Sequence, residues 1–421
     1  MSNAGDNIKQ HTNSKSVWSN EIVLLLCIGE IFLMMGFSFI APILPKFIET
    51  LGVDKNNIGV AVGFTLTAFG IARAVMNIPV GRLTKRFGRR SLLVGAPAVV
   101  FISALGCGLT TEYWQLIVWR VLQGAAAAGY SVTALIALTE ISTPSTRGLY
   151  ISYFWTAALI GASIGPTFGG LMGEYLGYRP VFYCYAALAL ISTIWAFLRV
   201  PETSAKHLRG AVEGTPARTE QQKSASLLFN YNFILISLVA LFTLVTIGGT
   251  QSTLIPLVGY ENLSLSEGQV GLGLTLIAII QMFLSPLAGS LSDKLGRKRL
   301  IIPGGVITVL GLIMFAYSSS FWFFLSCALI LGVGRGIGSS VPTAYVSDIA
   351  LKDDYESTLA TFRAISDSGL VIGPLLCGYL KDVAGLTLPF YLTAGLLLLA
   401  VTLFGTFGKE TIKVNVEAAK M

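Results

Sequence analysis

The feature that most constrains this chain is a series of apolar stretches, each about 20 residues long. Examples are residues 22–44, 91–109 and 386–407. A stretch of that length crosses a bilayer as an α-helix, because a helix satisfies its backbone polar groups internally. Of the 421 residues, 53% are hydrophobic and only 12% are charged, roughly half the charged share of a soluble domain. The sequence therefore predicts an all-α protein that crosses a membrane many times.

Polar breaks divide the apolar sequence into twelve predicted transmembrane helices. The predicted spans are 22–45, 56–80, 91–110, 113–139, 148–173, 179–199, 230–256, 268–290, 299–318, 321–347, 360–381 and 386–408. The longest break, 201–229, reads as a flexible cytoplasmic linker between six-helix bundles at 22–200 and 230–408. Residues 1–21 and 409–421 are expected to be cytoplasmic tails. The polar start lacks the apolar core of a cleaved signal, so we expect the first helix to be retained.

The distribution of basic residues predicts the orientation in the membrane. Twelve spans place both termini on one side, and only seven of the 29 Lys and Arg fall elsewhere. These seven are Arg73, Arg120 and Arg335 inside spans and Lys46, Lys55, Arg179 and Lys381, which face the opposite side. Cytoplasmic loops hold the positive excess in membrane proteins. We therefore expect both termini in the cytoplasm of a cell with the chain in its plasma membrane, and the net charge of +7 reflects topology rather than nucleic-acid binding.

The chain contains an internal repeat with a fixed offset of 208 residues. The loop GRLTKRFGRR, which begins at residue 81, returns as GSLSDKLGRKR, which begins at residue 289. The same offset relates Gly165-Pro166 to Gly373-Pro374 and Glu140 to Asp348. A fixed offset through several elements predicts two halves with one structure. Two like bundles in a membrane typically enclose a central site and rock about it, which gives alternating access.

Three short motifs occur in order along the chain. The loop motif consists of Gly81, Lys85, Arg86, Gly88, Arg89 and Arg90, and its second copy of Gly289, Asp293, Gly296 and Arg297. The pattern R-x-x-Q-G stands at Arg120, Gln123 and Gly124, and G-x-x-x-G-P-x-x-G-G stands at Gly161, Gly165, Pro166, Gly169 and Gly170. Over residues 20–408 the chain resembles the major facilitator superfamily, most closely its drug:proton antiporter branch. The resemblance implies a twelve-helix fold of two pseudo-symmetric six-helix bundles.

The loop motif departs from the family pattern at Lys85. The family has an acidic residue there, which faces the N-terminal end of helix 11. One hypothesis is a latch of reversed polarity, in which Lys85 pairs with Asp353, Asp354 and Glu356 before helix 11. The alternative is that the loop arginines only anchor the topology.

The glycines of helix 5 recur every fourth residue and therefore share one helix face. Gly161, Gly165 and Gly169 predict close packing against another helix, the common use of small residues in membranes. Pro166 favours a kink. By resemblance, this face also lets the two halves move against each other, and Gly373 and Pro374 repeat the pattern in helix 11.

Ionisable residues inside spans are the strongest functional signal, because a charge at a helix centre costs ~2.5–3.5 kcal/mol on insertion scales. Glu30 in helix 1 is the preferred proton carrier, with a static ion pair to Arg73 or Arg120 as the alternative. The resemblance makes Arg120 a participant in coupling. Asp367 in helix 11 is a second proton-coupling candidate, although Arg363 four residues earlier favours a structural pair. Arg335 is predicted to hold an anionic group of the cargo or to pack against Asp367.

Aromatic and amide side chains within the spans are candidates for lining a substrate cavity. With Arg335 they are Phe37, Gln123, Tyr130, Trp155, Gln251 and Gln281. The five cysteines, Cys27, Cys107, Cys184, Cys327 and Cys377, all fall in apolar stretches. Buried apolar packing is expected for each of them.

These observations favour a secondary transporter that exports a small apolar or amphipathic compound in exchange for protons. A lipid flippase, an uptake symporter and a non-transporting sensor are alternatives on the same fold. An enzyme is disfavoured, because the only histidines, His11 and His207, lie in a tail and the linker and no nucleotide-binding motif occurs. We expect no cofactor and no metal, and a monomer whose partners are the bilayer, a small molecule and protons.

Overall fold

The computed structural model describes residues 3–143, 146–200, 230–350 and 355–411, with side chains from Glu21 onward except those of Lys85 and Glu356. The described residues form helices and turns without a strand, and twelve of the helices are long and apolar enough to cross a membrane. They are α1 Asn3–Thr50, α2 Ile58–Phe87, α3 Arg89–Leu109, α4 Tyr113–Ile141, α5 Arg147–Leu176, α6 Tyr178–Arg199, α7 Tyr231–Glu261, α8 Glu267–Leu295, α9 Lys298–Ala316, α10 Phe321–Ile349, α11 Tyr355–Ala384 and α12 Thr387–Phe407. The predicted all-α membrane fold is confirmed.

α1 begins at Asn3 rather than 22, so part of the predicted N-terminal tail is helical; the other helix bounds agree with the predicted spans to within about seven residues, and the differences lie mostly at polar ends. α2 continues to Phe87 rather than 80, and α8 continues to Leu295 rather than 290. Both extensions carry the loop motif on helical backbone. An apolar stretch marks only the part of a helix inside hydrocarbon, so a helix that projects into water is longer than its stretch.

Two helices are irregular in the middle of their spans. α7 is α-helical over Tyr231–Val245, π-helical over the nine residues Thr246–Leu254, and α-helical again over Ile255–Glu261. α10 consists of Phe321–Gly338 and Val341–Ile349. π-Helical segments are rare and frequently occur at functional sites.

The chain divides into two compact units. The first takes its described residues from Met1–Ile40, Ile71–Gly165 and Gly177–Glu213. The second takes them from Ala41–Gly70, Pro166–Leu176 and Gly214–Met421. The predicted division into 22–200 and 230–408 stays a prediction, as does the role of 201–229, which lies outside the described residues.

Backbone turns repeat at the predicted offset of 208 residues. Gly88 has a φ value of 86° and immediately precedes α3. Gly296 has a φ value of 104° and immediately precedes Arg297, the N-cap residue of α9. Gly177 and Gly385 have φ values of 89° and 82° and lie before α6 and α12. Only glycine adopts this left-handed region without strain. The two halves of the sequence therefore make the same turns at the same repeat positions.

The cysteines show how burial differs between a membrane helix and a soluble one. All five lie in described helices as free thiols, and four of them are buried. Cys184 on α6 is exposed, so the expectation of buried packing is wrong for that residue. An apolar side chain in a transmembrane span can face lipid, where exposure carries no hydrophobic penalty.

Candidate transport site

Glu30 lies in the middle of the apolar part of α1 and is buried in the first unit. Its residue surface is 1% exposed, and neither carboxylate oxygen has a hydrogen-bond partner among the described residues. Leu26 and Leu33, one turn to either side, are also buried. Burying a charge without a partner is expensive. This carboxylate therefore requires compensation by a proton or by a nearby cation.

The groups around Glu30 come from α1, α2 and α4. Arg73 on α2 is half-buried and is the cation whose charge acts on Glu30. The hydroxyl of Tyr130 on α4 donates to the carbonyl oxygen of Leu26 at 3.0 Å and packs against Gly29, where a Cβ would overlap it. Glu30 makes no hydrogen bond to Arg73 or Arg120, so the static pair that the sequence left open is not formed through hydrogen bonds.

The R-x-x-Q-G motif forms a buried polar pair on α4. Arg120 is 0% exposed and donates from Nη1 to Oε1 of Gln123 at 2.5 Å. A spacing of three residues places the two side chains on one helix face. The guanidinium also lies 5.4 Å from the ring centroid of Phe37 on α1, a cation–π contact. Two of the predicted cavity residues, Gln123 and Phe37, thus contact Arg120.

Tyr185 on α6 belongs to this cluster and was missed by the sequence reasoning. It is 2% exposed, and its ring occupies the space beside Gly36, where a Cβ would overlap it. Its hydroxyl is within electrostatic range of Arg120, Glu30 and Arg73. The available signal was Gly36 itself, because a glycine in an apolar helix often marks the close approach of another group.

The glycine face of α5 packs against the backbone of α1 in the first unit. A Cβ at Gly161 would overlap the carbonyl oxygen of Ile31, and one at Gly165 would lie 2.7 Å from the carbonyl oxygen of Met35. The hydroxyl of Ser38 donates to the carbonyl oxygen of Gly161 at 3.3 Å. The spacing of four residues therefore places two helix backbones in direct contact.

The other members of this motif and its repeat lie in the second unit. Gly169 and Pro166 are buried. On α11, a Cβ at Gly373 would lie 2.5 Å from the carbonyl oxygen of Val245 and 2.9 Å from the amide nitrogen of Gly249 on α7. α11 thus contacts α7 at the start of its π-helical segment, as α5 contacts α1.

Of the remaining predicted cavity residues, Trp155 lies on α5 in the first unit, and the others lie in the second unit. Trp155 is half-buried, and its ring centroid lies 6.0 Å from that of Phe154 in an edge-to-face arrangement. Gln251 and Gln281 are half-buried on α7 and α8. Asp367 on α11 is exposed, as is Arg363.

Arg335 on α10 is a fully buried cation of the second unit. It is 0% exposed and donates from Nη2 to the carbonyl oxygen of Thr246 at 3.0 Å. Thr246 is the first residue of the π-helical segment. The Nε and Nη1 atoms of Arg335 have no hydrogen-bond partner among the described residues. These two nitrogens therefore make no hydrogen bond to Asp367, the predicted packing partner, and both can still act as donors.

The loop motif forms matching ion pairs in the two units. Arg89 pairs with Glu140, and 208 residues later Nε of Arg297 lies 3.0 Å from Oδ2 of Asp348. Nη1 of Arg297 also lies 2.5 Å from Oδ1 of Asp293. Burial of Arg297 lowers its pKa, but the hydrogen bond and charge of Asp348 outweigh that effect and raise the pKa above its usual value.

The rest of the loop motif makes few described contacts. The guanidinium of Arg86 lies 5.3 Å from the ring centroid of Phe87. A Cβ at Gly81 would meet nothing described within 4 Å, and one at Gly289 would meet only the hydroxyl of Ser340. The hypothesised pairing of Lys85 with Asp353, Asp354 and Glu356 lies outside the described residues, because the side chains of all four residues do.

A twelve-helix membrane fold with an internal repeat and buried charges defines a multi-pass membrane transporter. The sequence model of the Major Facilitator Superfamily matches residues 26–265 and 238–420, so the chain belongs to that superfamily. Among the described residues, His, Cys, Asp and Glu form no group of three or more that could hold a metal ion.

Relatives and solved structures support the same assignment. The multidrug resistance protein MdtG of Proteus mirabilis is 27% identical over 92% of this chain and 95% of its own length. The multi-drug resistance efflux pump PmrA homolog of Lactococcus lactis is 26% identical over 87% of this chain and 91% of its own. A bacterial homolog of the human lysosomal transporter Spinster, solved in an inward-facing and occupied conformation, shares the fold with a TM-score of 0.77 and 17% identity over 92% of this chain and 96% of its own.

Proposed function

We propose that this transporter exports a small apolar or amphipathic compound across the plasma membrane in exchange for protons, by alternating access. Both termini lie in the cytoplasm, in keeping with the positive excess of the loops on their side. The relatives named for multidrug resistance and efflux support this cargo class. A single chain supplies the complete twelve-helix pathway, so the protein acts as a monomer.

The burial of Glu30 carries the proposal. A carboxylate that is 1% exposed and has no hydrogen-bond donor among the described residues gains little from structural pairing. Such residues in transmembrane spans are retained for function. Binding a proton removes the cost of the buried charge, and releasing it restores a negative charge that attracts Arg73 or a cationic cargo. Glu30 is therefore the proton carrier.

The neighbours of Glu30 give the site its selectivity. The rings of Phe37, Tyr130 and Tyr185 supply the apolar surface that a drug-sized compound requires. Arg120, which is bonded to Gln123 and lies within electrostatic range of Tyr185, supplies a fixed positive charge to the same unit. In the second unit, considered by itself, Arg335 has two guanidinium nitrogens without a hydrogen-bond partner among the described residues, which could donate to an anionic group on the cargo.

The experiment measures lumenal pH in sealed proteoliposomes that contain the purified protein. A panel of lipophilic cations, neutral drugs and lysolipids is added to wild type, Glu30→Gln and the control Glu21→Gln. Glu21 lies on the same helix but is exposed, so the control makes the same chemical change away from the site. We expect one or more compounds to move protons in wild type and Glu21→Gln and to move none in Glu30→Gln.

Two results would contradict this proposal in different ways. Proton movement that survives in Glu30→Gln removes the role of Glu30 and shifts the carrier to Asp367. A lack of proton movement with every compound in wild type removes antiport, and lipid flipping is then the function to measure.

A further inference from the structure

Asp382 near the end of α11 binds the N-terminus of α2. Oδ1 accepts a hydrogen bond from the amide of Gly59 at 3.0 Å, and Oδ2 accepts one from the amide of Val60 at 2.7 Å. The first amides of a helix have no partner within the helix, and the helix dipole favours a negative charge there. The side chain of Asp382 is only 6% exposed, so water competes little for these bonds. Residues separated by more than 300 positions are thus joined by two charge-assisted hydrogen bonds.

Lys381 completes a buried charge network around this contact. Its Nζ atom lies 3.3 Å from Oδ1 of Asp382 and 2.8 Å from Oε1 of Glu261 at the end of α7. The Lys381 side chain is 9% exposed. α7 is tied in turn to α1, because the hydroxyl of Tyr260 donates to the carbonyl oxygen of Pro42. The ends of four helices on the side opposite the termini, here called the distal ends, are therefore connected.

Glycines allow α2 and α11 to meet backbone to backbone beside Asp382. A Cβ at Gly59 would lie 2.5 Å from the carbonyl oxygen of Gly378, and one at Gly378 would overlap the carbonyl oxygen of Gly59. A Cβ at Gly63 would overlap the carbonyl oxygen of Pro374. The short reach of the Asp382 carboxylate to the α2 amides depends on this close approach.

The same arrangement occurs at the repeat positions, in a weaker form. Oε2 of Glu174 on α5 accepts a hydrogen bond from the amide of Gly268 on α8 at 3.1 Å. Glu174 is the repeat counterpart of Asp382, and Gly268 that of Val60, each 208 residues apart. Glu174 is exposed, makes one such bond, and meets a helix N-terminus that Ser266 already caps.

The surrounding contacts repeat as well. A Cβ at Gly271 would overlap the carbonyl oxygen of Pro166, which is the repeat equivalent of Gly63 against Pro374. The hydroxyl of Thr67 donates to the carbonyl oxygen of Val371 at 2.7 Å. Its repeat counterpart Thr275 accepts from the amide of Thr167 at 3.0 Å. The pairs α2–α11 and α5–α8 therefore meet with similar geometry, but a carboxylate accepts two amide hydrogen bonds in the first pair and one in the second.

We propose that Asp382 is the main latch that holds the distal ends of α2 and α11 together during the transport cycle, and that Glu174 is its weaker counterpart at α5 and α8. Both helix pairs join a helix of the first half of the sequence to one of the second half. Opening a pathway to the distal side requires these pairs to separate, so breaking the Asp382 bonds is a step of that opening. The latch rests on the alternating access of the proposed function.

The test measures a distance across the latch by double electron–electron resonance. Spin labels are placed on Asn56→Cys and Thr387→Cys, at exposed positions beside the starts of α2 and α12, in a Cys184→Ser background that removes the exposed native thiol. We expect Asp382→Ala to raise the ratio of long-distance to short-distance populations about tenfold or more, because two bonds to a buried carboxylate are lost and Lys381 keeps only Glu261. Glu174→Ala is the matched control and should change that ratio less than about twofold, since its single exposed bond is weak.

A wild-type distance distribution in folded Asp382→Ala would overturn the proposal, as would an equal effect of Glu174→Ala. If Asp382→Ala does not fold, Asp382→Asn serves instead. It retains one acceptor oxygen and loses the charge, so a smaller shift in the same direction supports the latch and an unchanged distribution overturns it. The distance measurement does not depend on proton flux, so failure of the antiport experiment and failure of the latch are distinguishable.

Discussion

The contact between α5 and α1 predicts that Gly165→Ala destabilises the protein although alanine is the better helix former. A Cβ at Gly165 would overlap the Ser38 hydroxyl and would lie 2.7 Å from the carbonyl oxygen of Met35 and 2.9 Å from the Cβ of Ser38. The hydroxyl can rotate away, but a backbone carbonyl cannot, so the two helices must separate. Overpacking of this kind costs about 1–3 kcal/mol.

The gain in helix propensity from glycine to alanine, about 1 kcal/mol, offsets part of that cost. We therefore expect Gly165→Ala to lower the free energy of unfolding by up to about 2 kcal/mol. Gly81→Ala provides the matched control, because its Cβ would meet nothing described within 4 Å and it also lies within a helix. That variant should be as stable as wild type or more stable.

Thermal unfolding of the detergent-solubilised protein gives the measurement, as the apparent Tm of wild type and each variant. Adding Ser38→Ala to Gly165→Ala removes one overlap and leaves the one with Met35, so the double variant should recover only part of the lost stability. Equal Tm values for Gly165→Ala and Gly81→Ala would refute the inference that this glycine is required by a backbone contact.

Two further substitutions test the buried charges. Arg335→Met should leave the Tm unchanged or raise it, because it removes a buried charge with unused donors. When lipophilic anions are added to the panel of the proteoliposome assay, this variant should no longer transport them. A lower Tm would mean that Arg335 is structural. Arg297→Met should lower the free energy of unfolding by about 1–3 kcal/mol, a range that allows for the partial exposure of Asp348. The loss should exceed that of Arg89→Met, because Arg297 contacts two carboxylates and Arg89 contacts one. Equal losses in chemical unfolding would contradict this difference.

The predictions from the sequence succeeded where the signal is local or periodic. The twelve spans follow from the length of apolar stretches, because hydrocarbon thickness sets the length of a transmembrane helix. The repeat offset matched Glu140 to Asp348, and the structure gives that match a physical meaning in the pairs with Arg89 and Arg297.

The sequence reasoning failed where a contact joins distant segments. Tyr185 approaches Gly36 across 149 residues and Asp382 approaches Gly59 across 323, and neither pair has a sequence pattern that links its members. Lys381 was predicted only to face the side opposite the termini, although its side chain is mostly buried and contacts two carboxylates. The π-helical segment was also missed: it is rich in Gly, Thr, Ser and Gln, but it lies inside a longer apolar stretch that was predicted as one regular span.

The π-helical segment of α7 has a consequence for how this family's sequences can be aligned. In an ordinary helix, deleting one residue rotates everything beyond it by about 100°, which would turn Tyr260 and Glu261 away from α1 and α11. A π-helical segment already contains the surplus residue, so a deletion within Thr246–Leu254 converts it to α-helix and leaves both flanks in phase. Chain length can therefore vary by one residue at this point of the seventh span, and an alignment gap there is compatible with an unchanged distal end.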